Sequence, residues 1–203
     1  SLAAAGFVNN VITLVLVLAL GYSYAITPVV GPFHAKDEIK EAGKTLRAGL
    51  QINGILGMAL LIVMGTLYFF IPMMGQPTEL LPEIRPYYIV VLLSLPLQTL
   101  FNGFKQFFDG IGKTQTPMWI MLMANLLNII GNWLLIYGIG PFPEWGLFGA
   151  GISTLFSRLV MLLAIYLVFL VGKDYKKYHI GFRSKDSVGS LRRQLHRLGQ
   201  PLA

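Results

Sequence analysis

Three side-chain amides stand at Asn125, Asn128 and Asn132, spaced i, i+3 and i+7. On a helix that spacing puts all three on one face. Each amide carries two N–H donors and a carbonyl acceptor. The row therefore suits a cation, a chain of water or a polar solute. It suits hydrogen bonds to a neighbouring helix equally well, at roughly 1 kcal/mol each inside a membrane. Spacing alone leaves both uses open. Thr154 and Arg158 form a second group, i and i+4 on one helical face. Arg158 is the only formal charge in the run 145–172. A guanidinium in hydrocarbon is costly and marks a functional position by default. Its partner would be a carboxylate in a helix outside this sequence, or Asp109. The alternative is a side chain that snorkels to water. Other polar residues of apolar runs read as packing or cavity lining: Asn9, Asn10 and Thr13, Gln51 and Asn53, Gln98 and Asn102.

The elements that position these groups are long and apolar. Residues 1–35, 48–78, 86–104 and 114–143 contain no Asp, Glu, Lys or Arg. A helix needs roughly 20 mainly apolar residues to cross a bilayer. Backbone polar groups in lipid must be satisfied within the segment, so such runs are helical. Five spans are expected, at 7–31, 47–72, 87–107, 117–139 and 147–171. The fold class is thus all-α, a polytopic membrane helical bundle over residues 1–172. Composition agrees: 55% of residues are hydrophobic and 12% are charged. Soluble domains carry about 25% charged residues. The mean hydropathy of +0.64 is likewise too high for a soluble surface. Pro96 falls inside the third span and should kink it. Gly54, Gly57 and Gly65 let another helix approach the second span closely.

The net charge of +7 is gathered in short clusters between spans. Lys36, Lys40, Lys44 and Arg47 lie in one loop, Lys105 and Lys113 in the next but one, and eight Lys or Arg in residues 173–197. Five crossings bring these clusters to one face, which the positive-inside rule makes cytoplasmic. Residues 173–197 read as a basic cytoplasmic connector, a solvated linker rather than a headgroup-binding helix, and 198–203 as the start of a further span. This pattern is a topology signal and not a nucleic-acid face. The chain has no cysteine, which excludes disulfides and thiolate metal sites. No nucleophile–base pair, metal-ligand spacing or Walker A sequence stands out, so an enzyme is not expected and no cofactor is implied. No Asp or Glu sits at mid-membrane depth.

Four stretches together resemble the multidrug and toxic compound extrusion (MATE) transporters, most closely their NorM-type branch. The first runs from Leu2-Ala-Ala-Ala to Pro28-Val-Val-Gly31. The second is Phe101-Asn-Gly-Phe-Lys-Gln-Phe-Phe-Asp-Gly-Ile-Gly-Lys-Thr-Gln-Thr-Pro117. The third is Asn128-Ile-Ile-Gly-Asn132, continuing to Gly146-Leu-Phe-Gly-Ala-Gly-Ile-Ser-Thr154. The last is Leu198-Gly-Gln-Pro201. The specific part is 101–154, where several spaced motifs keep the family's order.

The resemblance implies helices two to six plus the start of helix seven of a twelve-helix, two-lobed transporter. The first helix and the C-terminal half would lie outside this sequence. It implies export of drugs or amphipathic organic cations by alternating access, coupled to Na⁺ or H⁺, in a bacterial cytoplasmic membrane. Positions matching Asn128, Asn132 and Thr154 belong to an N-lobe site in the family. Some members carry Asp where this chain has Asn132, and an amide does not titrate. A lipid-linked precursor flippase and a non-transporting scaffold subunit remain as alternatives. The first would need cavity cations, of which Arg158 is the only candidate. The second would favour a fully apolar lining, which the Asn face opposes.

Overall fold

With few charges to interrupt them, the long apolar runs close their backbone hydrogen bonds locally. The computed structural model of the chain describes residues 24–71, 81–141 and 143–184, together with Gly6, Asn9, Asn10, Thr13, Val17, Gly21, Ser23 and Glu79. Of the expected span 7–31, residues 7, 8, 11, 12, 14–16, 18–20 and 22 fall outside these residues. So do 185–197 of the connector and all of 198–203.

Among the described residues, seven helices can be given bounds, in order. They are α1 (Ile26–Ala35), α2 (Ile39–Phe70), α3 (Leu81–Leu93), α4 (Leu95–Gly110), α5 (Gln115–Tyr137), α6 (Gly146–Val171) and α7 (His179–Phe182). A 3-10 turn at Lys176–Tyr178 leads into α7. No strand occurs among the described residues. Among the described residues, four stretches are long and apolar enough to cross a membrane: α2, α3 with α4, α5 and α6. The chain is an all-α, polytopic membrane bundle.

α2 begins at Ile39, well before the apolar run at 48. Its first turns carry Lys40, Glu41 and Lys44, with Lys44 Nζ 2.7 Å from Glu41 Oε1. Lys and Glu are good helix formers, so the helix extends beyond the apolar stretch.

The third span is two helices. Pro96 has no N–H to give to the Leu92 carbonyl, and its ring crowds the preceding turn. The ladder tightens there: Ser94 N–H bonds to the Val91 carbonyl at 3.1 Å. Ser94 separates α3 from α4. α2 meets this junction through Gly57, whose hydrogen faces Thr99 Oγ1 and lies where a Cβ would be 2.8 Å from Pro96 Cα. Gly54 and Gly65 have more room, with nearest neighbours at 3.7 and 4.0 Å.

Two apolar clusters fill the bundle. One, at the Lys/Arg-rich end, holds Val30, Leu46, Phe101, Phe107, Ile165 and Phe169. The other joins Met64, Ile71, Ile84, Tyr88, Leu92 and Leu95. α5 packs against α6 through small residues. A Cβ on Gly131 would overlap Ser153 Oγ, and one on Gly149 would come within 2.6 Å of the Leu135 carbonyl oxygen. The opposite side of α5 leaves Trp119, Met123, Leu126, Ile129, Trp133 and Tyr137 exposed. In a membrane that side faces lipid or further helices.

The start of the connector differs from a solvated linker. Tyr175 and Tyr178 are buried, and Phe182 packs against the same core. Gly181 abuts the Lys40 carbonyl and Gly43 abuts the Tyr178 carbonyl, with no room for a Cβ at either. Tyr178 Oη bonds to His34 Nδ1 at 2.8 Å. Arg47 donates to the Phe182 and Ser184 carbonyls. The connector from 173 to 184 therefore closes the basic end of the bundle.

Candidate functional site

Midway along α5 and α6 the apolar packing opens into a cavity of about 280 Å³, walled on its third side by α4. Asn125 and Asn128 line it from α5, Thr154 and Arg158 from α6. Gln98, Ser157, Met121 and Met161 complete most of the wall. Four of the five residues singled out by type and spacing thus meet in one concavity. Asn132 does not line it. It lies on the same helical face as Asn125 but about 10 Å further along the axis.

Asn128 is the hub of the polar cluster. Its Nδ2 is 3.4 Å from Ser153 Oγ, 3.3 Å from Thr154 Oγ1 and 3.4 Å from Ser157 Oγ. The hydroxyl protons point elsewhere: Ser153 donates to the Asn128 carbonyl, Thr154 to Ala150 and Ser157 to the Thr154 carbonyl, each at 3.0 Å. Their oxygens are left as acceptors for the Asn128 amide. Asn132 Nδ2 donates in turn to Asn128 Oδ1 at 3.3 Å. Asn132 Oδ1 is buried and has no protein donor, alone in this among the described residues' side-chain atoms.

Arg158 takes its position from the broken span. Its Nη1 donates to Ser94 Oγ at 2.6 Å, and Ser94 Oγ donates to the Val91 carbonyl at 2.5 Å. No ion pair to Arg158 forms among the described residues. Asp109 is not its partner. The Asp109 carboxylate lies at the far end of α4 and accepts from Lys105 Nζ at 2.7 Å, one turn away.

Other polar residues are held by hydrogen bonds within the bundle. Asn53 accepts from Ser23 Oγ and donates to the Gly49 carbonyl at 2.8 Å. Gln98 Nε2 reaches Asn102 Oδ1 at 3.3 Å. Tyr87 Oη donates to Asn9 Oδ1 at 3.3 Å, tying α3 to the first span. Sequence reasoning missed Ser94, Ser153 and Ser157. The signal for two of them was present: Ser153, Thr154, Ser157 and Arg158 form a polar patch on one side of an otherwise apolar helix.

Apolar spans packed around a polar, partly enclosed cavity define a polytopic helical membrane protein with an internal polar site. The fold is similar to that of an inward-facing multidrug resistance transporter of the MATE family, with a TM-score of 0.79 at 22% identity. The match covers 97% of this chain and 46% of that one. The chain belongs to the MatE family, whose model matches residues 1–134. Family members are transporters, not enzymes. Among curated relatives, a probable multidrug resistance protein NorM of Photorhabdus laumondii is 28% identical over 91% of this chain and 41% of its own length. A FAD transporter of Shewanella oneidensis is 32% identical over 84% of this chain and 38% of its own. The chain spans about two fifths of the length of the relatives it matches.

Proposed function

We propose that the whole protein is an antiporter, coupled to Na⁺ or H⁺, that exports small amphipathic molecules by alternating access. The five residues Asn125, Asn128, Asn132, Thr154 and Arg158 belong to the N-terminal lobe's share of its binding site. The observation that carries this is the 280 Å³ polar cavity set between apolar spans. Polar side chains at that depth are costly and are kept where a solute or ion needs them. The Met121 and Met161 walls suit varied shapes, since Met side chains repack readily. Asn132 Oδ1, buried and unpaired, is free to accept from a cation's water or a substrate donor.

The family match gives no support to the flippase or scaffold alternatives. Membership, apolar spans and bacterial relatives support residence in a bacterial cytoplasmic membrane, with the Lys/Arg-rich end inside. The coupling ion would be bound by groups of the whole protein.

Efflux of a fluorescent dye from cells lacking their own pumps tests the reading. The complete protein should lower dye retention, and an ionophore collapsing one gradient, Na⁺ or H⁺, should abolish the effect. Efflux that survives collapse of both gradients would reject ion-coupled antiport.

A further inference from the structure

The charge on the cavity wall bears on what the cavity takes. Arg158 presents a planar fork of five N–H donors. One is tied to Ser94 Oγ at 2.6 Å, which fixes the head group without neutralising it. The hydroxyls of Thr154 and Ser157 have committed their protons to backbone carbonyls. Gln98 Nε2 is engaged with Asn102. The donors left to face the cavity come from the remaining Arg158 N–H groups on α6, the amide of Asn125 on α5, which makes no side-chain bond among the described residues, and the second N–H of Gln98 Nε2 on α4. The formal charge of the lining is positive. A cation entering here meets like charge in a poorly screened setting, whereas an oxyanion meets a bidentate donor. The volume is just below the range that holds a drug-sized ligand, so it accommodates one functional group with water rather than a whole molecule.

We infer that the exported substrate carries a carboxylate or phosphate, and that this group docks on the Arg158 fork with Asn125 beside it. The inference rests on reading the cavity as the transporter's substrate site. It replaces a purely cationic substrate with an anionic or zwitterionic one, whose apolar body lies beyond this cavity. Ser94 is a positioning residue here, since it acts through Arg158.

A matched dye pair tests it. Rhodamine 19 has a free benzoate, and rhodamine 6G is its ethyl ester, so the two differ in the masked charge. Binding of each to the purified complete protein would be followed by fluorescence polarisation. The wild type should bind the free acid at least about tenfold more tightly, the lower end of what a charge-assisted pair supplies. Arg158→Gln should erase that ratio, and Arg158→Lys should keep part of it. Ser94→Ala should lower the ratio without abolishing binding of the ester. Should Arg158→Gln not fold, the Lys and Ala variants carry the test alone. Equal or better binding of the ester, an unchanged ratio in the variants, or no binding of either dye would overturn the inference. Gradient-driven export of the ester with no preference for the acid would sink it while leaving ion-coupled antiport standing. Preferential binding of the acid without gradient-driven export would do the reverse.

Discussion

Arg158 Nη1 and Ser94 Oγ, 2.6 Å apart, join the middle of α6 to the point where the third span breaks. The break exists because Pro96 removes a hydrogen bond from the ladder. Ser94 then turns its own proton to the Val91 carbonyl and its lone pair to the guanidinium. A kink that looks like a backbone matter thus sets where the cavity's charge sits.

Ser94→Ala should therefore act as an Arg158 mutation of milder degree. A hydrogen bond to a charged group contributes about 1.5–3 kcal/mol. Thermal unfolding in detergent should show a loss in that range, and dye efflux should fall several-fold. Ser94→Thr keeps the hydroxyl and should retain most of both. Equal damage from Ala and Thr would mean that bulk at the kink, not the hydroxyl, is what matters.

The same junction constrains α2. A methyl at position 57 would meet Thr99 Oγ1 and lie 2.8 Å from Pro96 Cα, whereas one at 54 finds its nearest atom 3.7 Å away. Gly57→Ala should cost about 1–3 kcal/mol by overpacking. Gly54→Ala should be neutral, or gain up to about 1 kcal/mol from helix propensity. Parallel melting curves of the two variants separate close approach from intrinsic flexibility.

At the basic end, burial pushes the Tyr178 phenol above its ordinary value of 10, and the Asp37 carboxylate pushes it the same way. The same phenol oxygen is hydrogen-bonded to His34 Nδ1. A group whose folded value is raised contributes stability that is complete below its unfolded value and lost as pH climbs through the folded one. Stability tied to Tyr178 should thus be flat up to about pH 10 and decline above it. Tyr178→Phe should lower stability by about 1 kcal/mol at neutral pH. It should also flatten part of the alkaline decline, measured by melting between pH 8 and 11.5. An alkaline decline identical to wild type would assign it to other groups.

Much of this was legible in the sequence, for identifiable reasons. Charge-free runs reveal helices because lipid leaves the backbone no other solution. The i, i+3 spacing of Asn125 and Asn128 and the i, i+4 spacing of Thr154 and Arg158 showed their faces. Periodicity reports angle, not depth, so Asn132 could share the face and still lie beyond the cavity. Partners were less legible. Asp109 is a candidate counter-charge for Arg158 by sequence, but a lysine one turn away on its own helix holds it. Ser94 gave no signal, since a serine two residues before a proline is ordinary. The connector hid a docking element because its lysines dominate its composition. The buried Tyr175 and Tyr178, with Phe182 four residues on, are spaced i, i+3 and i+7, an aromatic periodicity that period-based reading would have found.

The two ends of the Asn128–Asn132 pair should respond oppositely to removal. Asn128 serves the oxygens of Ser153, Thr154 and Ser157, and its carbonyl takes the Asn132 amide. Asn128→Leu strands those acceptors and should cost about 1–3 kcal/mol, since unmet buried groups are penalised by their full desolvation. Asn132 makes one long bond and carries a buried, unpaired oxygen. Asn132→Leu removes that burden, so its stability should lie within about 1 kcal/mol of wild type or above it. If Asn132 Oδ1 nonetheless serves transport, efflux should fall in a protein as stable as the original. Asn132→Asp puts a titratable group at the same point. Ionised, it repels Asn128 Oδ1; protonated, it can donate to it. Efflux by that variant should therefore depart from the wild-type pH profile across the range where the carboxyl titrates. Matching pH profiles for the two proteins, with melting temperatures also matching, would place Asn132 in the packing and outside the transport path.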